Sequence, residues 1–180
     1  MTTETRVFGE PRILNGPVRL AEYDARWPML FARQARRIRD SLGEQVLLLE
    51  HAGSTSVPGL VAKPVIDIIL AVADSAREEH YLPALEAEGY SLRIREPDWF
   101  EHRLLNAPDI DANVHVFSTG CAEIERMLLF RDRLRTHPDD RDLYQETKRQ
   151  LAARTWEHVQ QYADAKSDVI RQILAKSGRD

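Results

Sequence analysis

Apolar residues recur along the chain at two spacings, and the change from one to the other marks where the structure should change. Trp27, Leu30, Phe31, Ile38 and Leu42 stand at helical intervals, with Asp24 placed to cap, Pro28 in the first turn and Gly43 after the last apolar position. This predicts a helix with Arg33, Arg36, Arg37 and Arg39 on its solvated faces. Val46 to His51 and Val65 to about Ala71 are short apolar runs on either side of a loop of small residues, and each reads as a strand. A helix is expected from Asp74-Ser75 to Glu88, with Tyr81, Leu82 and Leu85 inward, Gly89 as its stop and Pro83 shifting or kinking its start. Tyr90 to Arg95, Phe100 to Asn106 and Asn113 to Phe117 read as three strands, and the turn signals between them (Pro97-Asp98, Ala107-Pro108-Asp109) predict an antiparallel meander.

From Ala122 onward the pattern is helical. One segment runs from Glu123 to Arg135 and stops near His137-Pro138; a second starts at Asp139-Asp140 and carries Leu143, Tyr144, Thr147 and Leu151. A third holds Trp156, Val159, Tyr162, Val169, Ile173 and Leu174. Residues 1–16, broken by Pro11 and Asn15-Gly16, read as a loosely held arm, Pro17 to Leu20 as a short strand, and residues 177–180 as a polar tail. Nothing divides residues 17–176, so the expectation is one α/β domain of the α+β type: a mixed sheet, flanking helices and a C-terminal helical layer.

Composition adds bounds to this picture. A chain of 180 residues, 43% hydrophobic, can bury a core without disulfide or metal staples. Lys and Arg number 25 against 29 Asp and Glu, a formal charge of −4 that argues against broad nucleic-acid binding. The lone cysteine, Cys121, cannot form an intrachain disulfide and sits at a helix start, which suits a cytoplasmic location. No apolar run is long enough to span a bilayer, and the N-terminus lacks a signal-peptide core, so no membrane partner is expected.

The candidate chemistry gathers between residues 50 and 70. The loop after His51 offers Gly53, Ser54, Thr55, Ser56, Gly59 and Lys63: small residues that let backbone N–H groups approach an anion, with a lysine to add charge. Asp67 then lies within the strand Val65-Ile66-Asp67-Ile68-Ile69-Leu70, where a carboxylate is costly without a cation, a metal or several hydrogen bonds. A phosphate loop followed by a strand acid is the arrangement of metal-assisted phosphate chemistry. His115 faces opposite to Val114 and Val116 and is a candidate base or ligand, with a hydrogen-bonded structural role as the even alternative. His51 at the strand end has the same two readings, and His102, between Glu101 and Arg103, fits an exposed strand face.

Several of these stretches together resemble the GrpB family, whose fold is like that of the nucleotidyltransferase superfamily. The resemblance rests on His51-Ala52-Gly53-Ser54-Thr55-Ser56-Val57-Pro58-Gly59-Leu60, Lys63-Pro64-Val65-Ile66-Asp67-Ile68, Phe130-Arg131-Asp132-Arg133-Leu134-Arg135 with Pro138, Tyr144 with Lys148, and Tyr162-Ala163-Asp164-Ala165-Lys166. It covers roughly residues 18 to 175. It implies that Gly53 and Ser54 grip the phosphates of a nucleotide and that Asp67 ligates magnesium (Mg²⁺). The family's occasional fusion to dephospho-CoA kinase points toward coenzyme A or nucleotide metabolism. The superfamily's strand carries two acids two residues apart on one face, whereas this chain has Asp67 and Ile69. Glu50, Glu101, Asp111 and Asp132 are the acids that could substitute.

The expected function is thus binding of a nucleotide or other phosphorylated small molecule, with Mg²⁺-dependent nucleotidyl transfer as the reaction class. Asp67 and His115 are the catalytic candidates, and Asp67 is also the metal candidate. His51, Gly53, Ser54, Thr55, Ser56, Lys63, Arg131 and Lys148 are the binding candidates, with Lys166 in reserve. Arg131 has salt bridging as its alternative, and Lys148 has packing against Tyr144. A ligand-binding module without transfer chemistry, and a transferase using a CoA-linked or carboxylate substrate in the same pocket, are the competing functions.

Overall fold

The computed structural model describes residues 5–9 and 13–177. Its centre is β4 (Ile66–Val72), in which Asp67 alone is not buried. Ile68 and Ile69 point to opposite faces of the sheet and both have 0% exposure, so β4 is covered on both sides. Each such side chain contributes about 1.5–3 kcal/mol of burial. Here the apolar run is long because the strand is central.

The sheet has six strands in the order β1-β5-β6-β7-β4-β3, formed by β1 (Arg6–Val7), β5 (Ser91–Glu96), β6 (His102–Asn106), β7 (Ala112–Ser118), β4 and β3 (Leu48–Ala52). β4 and β7 run parallel, and every other neighbouring pair is antiparallel. The predicted meander is therefore present, joined to the first hairpin through the parallel pair. Register places Asp67 beside Asn113 and Ile69 beside His115, while Ala52 lies opposite Asp67 and Glu50 opposite Ile69 on the other edge.

On one face, α1 (Trp27–Leu42) and α2 (Leu82–Ala87) cover Ile66, Ile68, Leu70, Leu105, Val114 and Val116, inserting Trp27, Ile38, Leu42 and Leu85. Gly43 ends α1 at φ 55, a left-handed position that favours glycine. On the opposite face, α3 (Ala122–Thr136) lays Ile124, Met127 and Leu128 over Ala52, Ile69, Ala71 and Phe117. Behind it stand α4 (Pro138–Ala152), α5 (Val159–Ala165) and α6 (Ser167–Ala175), with Leu134, Tyr144, Val169 and Ile173 packed on Val57 and Leu60 of the loop. No helix among the described residues is long and apolar enough to cross a membrane.

Several expectations are corrected. The stretch read as a loose arm supplies β1, paired with β5, and β2 (Ile13–Gly16), paired with β8 (Trp156–His158); its residues 1–4 and 10–12, like residues 178–180 of the tail, lie outside the described residues. Pro17 to Leu20 is no strand; instead Ala21 bridges Ala62, and Val18 N–H reaches Ala152 O at 3.1 Å. The helix expected from Asp74 begins only at Leu82, because Pro83 fits nowhere but a first turn. The third C-terminal helix is broken into β8, α5 and α6, since Trp156 to His158 pairs with β2 far away in sequence.

Candidate functional site

Gly53 has φ 66 and ψ −174 and turns the chain out of β3 into a short 3₁₀ segment, Ser54–Ser56. A Cβ at Gly53 would overlap Oδ2 of Asp67 and lie 3.1 Å from that residue's Cβ and Cγ. The loop backbone thus sits directly against the strand carboxylate, which requires glycine twice over: for its dihedrals and for its lack of a side chain.

The loop hydroxyls divide by role. Thr55 is buried; its Oγ1 donates to Val65 O at 3.0 Å and accepts from His51 Nε2 at 3.1 Å. His51 also stacks on Phe31, with ring centroids 4.9 Å apart. It sits beside Ile68 in register, on the α1 face and away from Asp67. Burial lowers its pKa to about 4, so at neutral pH it is an uncharged structural residue. His51 and Thr55, expected as ligand contacts, therefore brace the loop from beneath. Ser56 is buried too, donating to Gly53 O at 2.6 Å, while its carbonyl accepts two N–H bonds from Arg135 at 2.8 and 3.0 Å. Ser54 is half-buried; burial pushes the nearby Tyr144 phenol up to about 12, and Ser54 acts to lower it.

Asp67 keeps 28% of its side chain exposed. Its Oδ1 accepts from Asn113 Nδ2 at 3.1 Å and lies 3.4 Å from His115 Nε2. Burial acts to raise its pKa, but hydrogen bonding and charge from His115, with Asn113 and Lys166 helping, hold it below the usual carboxylate range. His115 belongs to a longer series. His102 Nδ1 donates to Glu96 Oε2 at 2.7 Å, which leaves His102 Nε2 to accept from His115 Nδ1 at 3.1 Å. His102 is only 3% exposed, so its assignment to an open strand face is corrected: the Trp99 ring lies over it at 5.0 Å.

Arg131 is tied to Glu50 Oε2 (2.7 Å), His51 O (3.0 Å) and Asp132 Oδ1 (2.7 Å). It joins α3 to β3 as a salt bridge, the alternative that the sequence left open, and all three of its nitrogens are engaged. Ile69 has no room for an acid, since it is buried beneath α3. The substitute acids do not fill in for it. Glu50 and Asp132 pair with Arg131, Glu101 pairs with Arg103, and Asp111 lines the cavity around Trp27 and Ile110. Among the described residues no group of three His, Cys, Asp or Glu side chains is placed to hold a metal ion. The donors present fit an ion that takes one protein carboxylate and completes its shell with phosphate oxygens and water, as Mg²⁺ does. They do not fit a two-metal clamp.

The helical layer brings residues that the loop alone could not announce. Lys148 of α4 is 1% exposed, with its ammonium over the Tyr144 ring at 5.0 Å and hydrogen-bonded to Val61 O. Burial, reinforced by repulsion from Lys166, brings its pKa down to about 7. Lys166, at the α5–α6 junction, sits over the Tyr162 ring at 4.7 Å; burial lowers its pKa while attraction to Asp67 opposes the shift. Lys148, Lys166 and Tyr144 thus lie within electrostatic reach of Asp67, the carboxylate against which Gly53 is packed. The signal in the sequence was a repeated Tyr-x₃-Lys, at Tyr144/Lys148 and Tyr162/Lys166. Lys63, half-buried, lies in the same loop ahead of β4. Two surface cavities of about 300 and 290 Å³ lie elsewhere, around Leu47 and Tyr81 and around Trp27 and Ile110.

A family model described as GrpB protein matches residues 17–176. The chain belongs to the GrpB family. A UPF0157 protein of Halalkalibacterium halodurans is 57% identical over 94% of this chain and 87% of its own length, and one of Streptomyces coelicolor is 49% identical over 98% and 91%. A dephospho-CoA kinase of Mycolicibacterium paratuberculosis is 29% identical over 92% of this chain but only 47% of its own length. The crystal structure of the GrpB protein of Enterococcus faecalis matches with a TM-score of 0.74 at 29% identity, over 89% of this chain and all of that one. The family matches thus span the sheet, the loop and the helical layer together. The Gly53 turn, Asp67 and the two lysines therefore lie within one GrpB unit.

Proposed function

We propose that this GrpB protein binds a phosphorylated small molecule of the nucleotide type against Gly53, Ser54 and Asp67, with Lys148 and Lys166 neutralising its phosphates. What supports this is the glycine packed against a strand carboxylate, with two lysines, Lys148 over Tyr144 and Lys166 over Tyr162, held in the helical layer within electrostatic reach of that carboxylate. Cations held out of water in this way favour a multiply charged anion over solvent. Lys63 adds charge from the loop, and a cytoplasmic location belongs to the same reading.

The reaction class is transfer of a nucleotidyl group to a small acceptor. Mg²⁺ would supply charge neutralisation between Asp67 and the phosphates. His115, with its Nδ1–H held by His102 Nε2, offers the Nε2 lone pair and receives the acceptor's proton there, and the N–H so formed is the donor that faces Asp67 Oδ1 at 3.4 Å. Asp67 stabilises the imidazolium so formed. The resemblance to nucleotidyltransferases and the relatives named dephospho-CoA kinase support a nucleotide-like ligand. The buried Ile69 favours a second reading, in which the ligand is bound without turnover.

Titration calorimetry with the four nucleoside triphosphates and with tripolyphosphate, with and without Mg²⁺, tests the binding. Wild type should bind, Lys166→Ala should weaken binding about tenfold or more, and Asp67→Asn should abolish the Mg²⁺ dependence. Binding by none of these probes would end the proposal. Pyrophosphate release with candidate acceptors separates the two readings: release that depends on Asp67 excludes the non-catalytic one.

A further inference from the structure

The sheet face that carries Asp67 is covered unequally. α3 buries its β3–β4 half, but on the β7–β6–β5 half His115, Asn113, Leu104, Asn106 and Ile94 are only half-buried. Their neighbours on the opposite face, Val114, Val116 and Leu105, have 0% exposure. Among the described residues, then, a partly exposed floor leads sideways from Asp67 beyond the cover of α3.

Aromatic rings line that route. From Asp67 the row runs through His115 to His102 (centroids 5.3 Å apart), to Trp99 (5.0 Å) and on to Phe100 (5.8 Å). Phe117 closes the inner side, stacked on His102 at 4.7 Å with its edge toward Trp99 at 5.8 Å. The last two rings stay open to solvent, Trp99 at 39% and Phe100 at 48% exposure. They are held rather than loose. Trp99 N–H donates to Glu96 O and its carbonyl accepts from His102 N–H, while Ser75 Oγ donates to Glu101 O at 2.8 Å. Phe100 and Glu101 both adopt positive φ, 55° and 50°, which non-glycine residues keep only where the surroundings impose it.

We propose that the Trp99 ring, backed by His102 and Phe117, is the subsite for a flat heteroaromatic group of the ligand, so that the ligand is a nucleoside phosphate rather than a sugar phosphate or inorganic polyphosphate. This rests on the phosphate-binding reading of the Gly53–Asp67 end and extends it. A fixed, half-exposed indole face suits stacking, which tolerates any base because every base has a π face. The row reaches it from Asp67 across two imidazole rings, along the uncovered part of the floor.

The test compares ATP with tripolyphosphate on wild type, Trp99→Ala and Trp99→Phe, by calorimetry with melting temperatures as a fold control. Trp99→Ala should weaken ATP by about ten- to a hundred-fold, Trp99→Phe should restore most of that loss, and neither variant should move tripolyphosphate more than about twofold. If Trp99→Ala leaves ATP unchanged, or weakens both ligands equally, the ring subsite is refuted while the phosphate site stands. If wild type binds neither probe, both readings fall together.

Discussion

Replacing Gly53 by alanine tests the contact on which the site is built. Two effects add. The φ 66, ψ −174 backbone lies in a region almost reserved to glycine, and holding alanine there costs about 1–3 kcal/mol. The new Cβ also overlaps Asp67 Oδ2, so the carboxylate must swing away from Asn113 and His115 and give up charge-assisted hydrogen bonds worth about 1.5–3 kcal/mol. The expected loss is therefore roughly 2.5–6 kcal/mol, a large share of the 5–15 kcal/mol typical of a domain. Urea unfolding followed by circular dichroism should show the midpoint fall by about 1.2–3 M for a slope near 2 kcal/mol/M. The same substitution in an Asp67→Ala background isolates the clash: there Gly53→Ala should cost only the backbone part. A loss under about 0.5 kcal/mol, or an equal loss in both backgrounds, would show that loop and carboxylate are not in contact as described.

Three further outcomes follow from burial at other positions. His51 has its pKa lowered from 6.5 to about 4, so the unfolded chain binds the extra proton first; stability should fall by about 3 kcal/mol as pH drops through that window, and His51→Gln should flatten the fall in acid-unfolding curves. Lys148 shifts from 10.5 to about 7, so the penalty for burying its charge is present below pH 7 and is relieved as pH rises toward 10.5; wild-type stability measured from pH 7 to 9.5 should rise, and Lys148→Met should remove most of that rise. Ile69→Asp, which restores the two-acid spacing, should destabilise by about 3–5 kcal/mol in thermal melts without raising pyrophosphate release, because the new carboxylate would lie under α3; a stable and more active variant would contradict the packing.

The strand–loop–strand unit and the meander were legible because alternation, turn residues and one misplaced acid are local signals. Gly53 and Asp67 could be paired from sequence for the same reason. Lys166 could not be ranked above Arg131, because α5 is placed by packing on Val18 and Leu151 and α6 by packing on Tyr144 and Leu60, which no spacing reveals. Arg131 looked like a phosphate fork, yet Glu50 opposite Ile69 satisfies it across the strand edge. His102 looked exposed because its neighbours are charged, and only the fold of the 97–101 turn brings Trp99 over it. The break at Trp156 escaped notice because its strand partner is β2, whose pairing overrides the helical pattern.

Val61 lies in the loop of small residues between β3 and β4, yet both of its peptide groups are claimed by one helix. Its N–H donates to Gln145 Oε1 at 3.0 Å and its carbonyl accepts from Lys148, while Ala62 exchanges two backbone hydrogen bonds with Ala21. α4 thus serves the loop as a substitute neighbouring strand, and the shelf beneath the site cannot lift like a flap. The Val61 amide should exchange with deuterium as slowly as those of β4, and only when α4 itself detaches. Among the described residues the uncovered strands then offer a molecule a lateral doorway to Asp67, and traffic through it is governed by side chains rather than by loop opening.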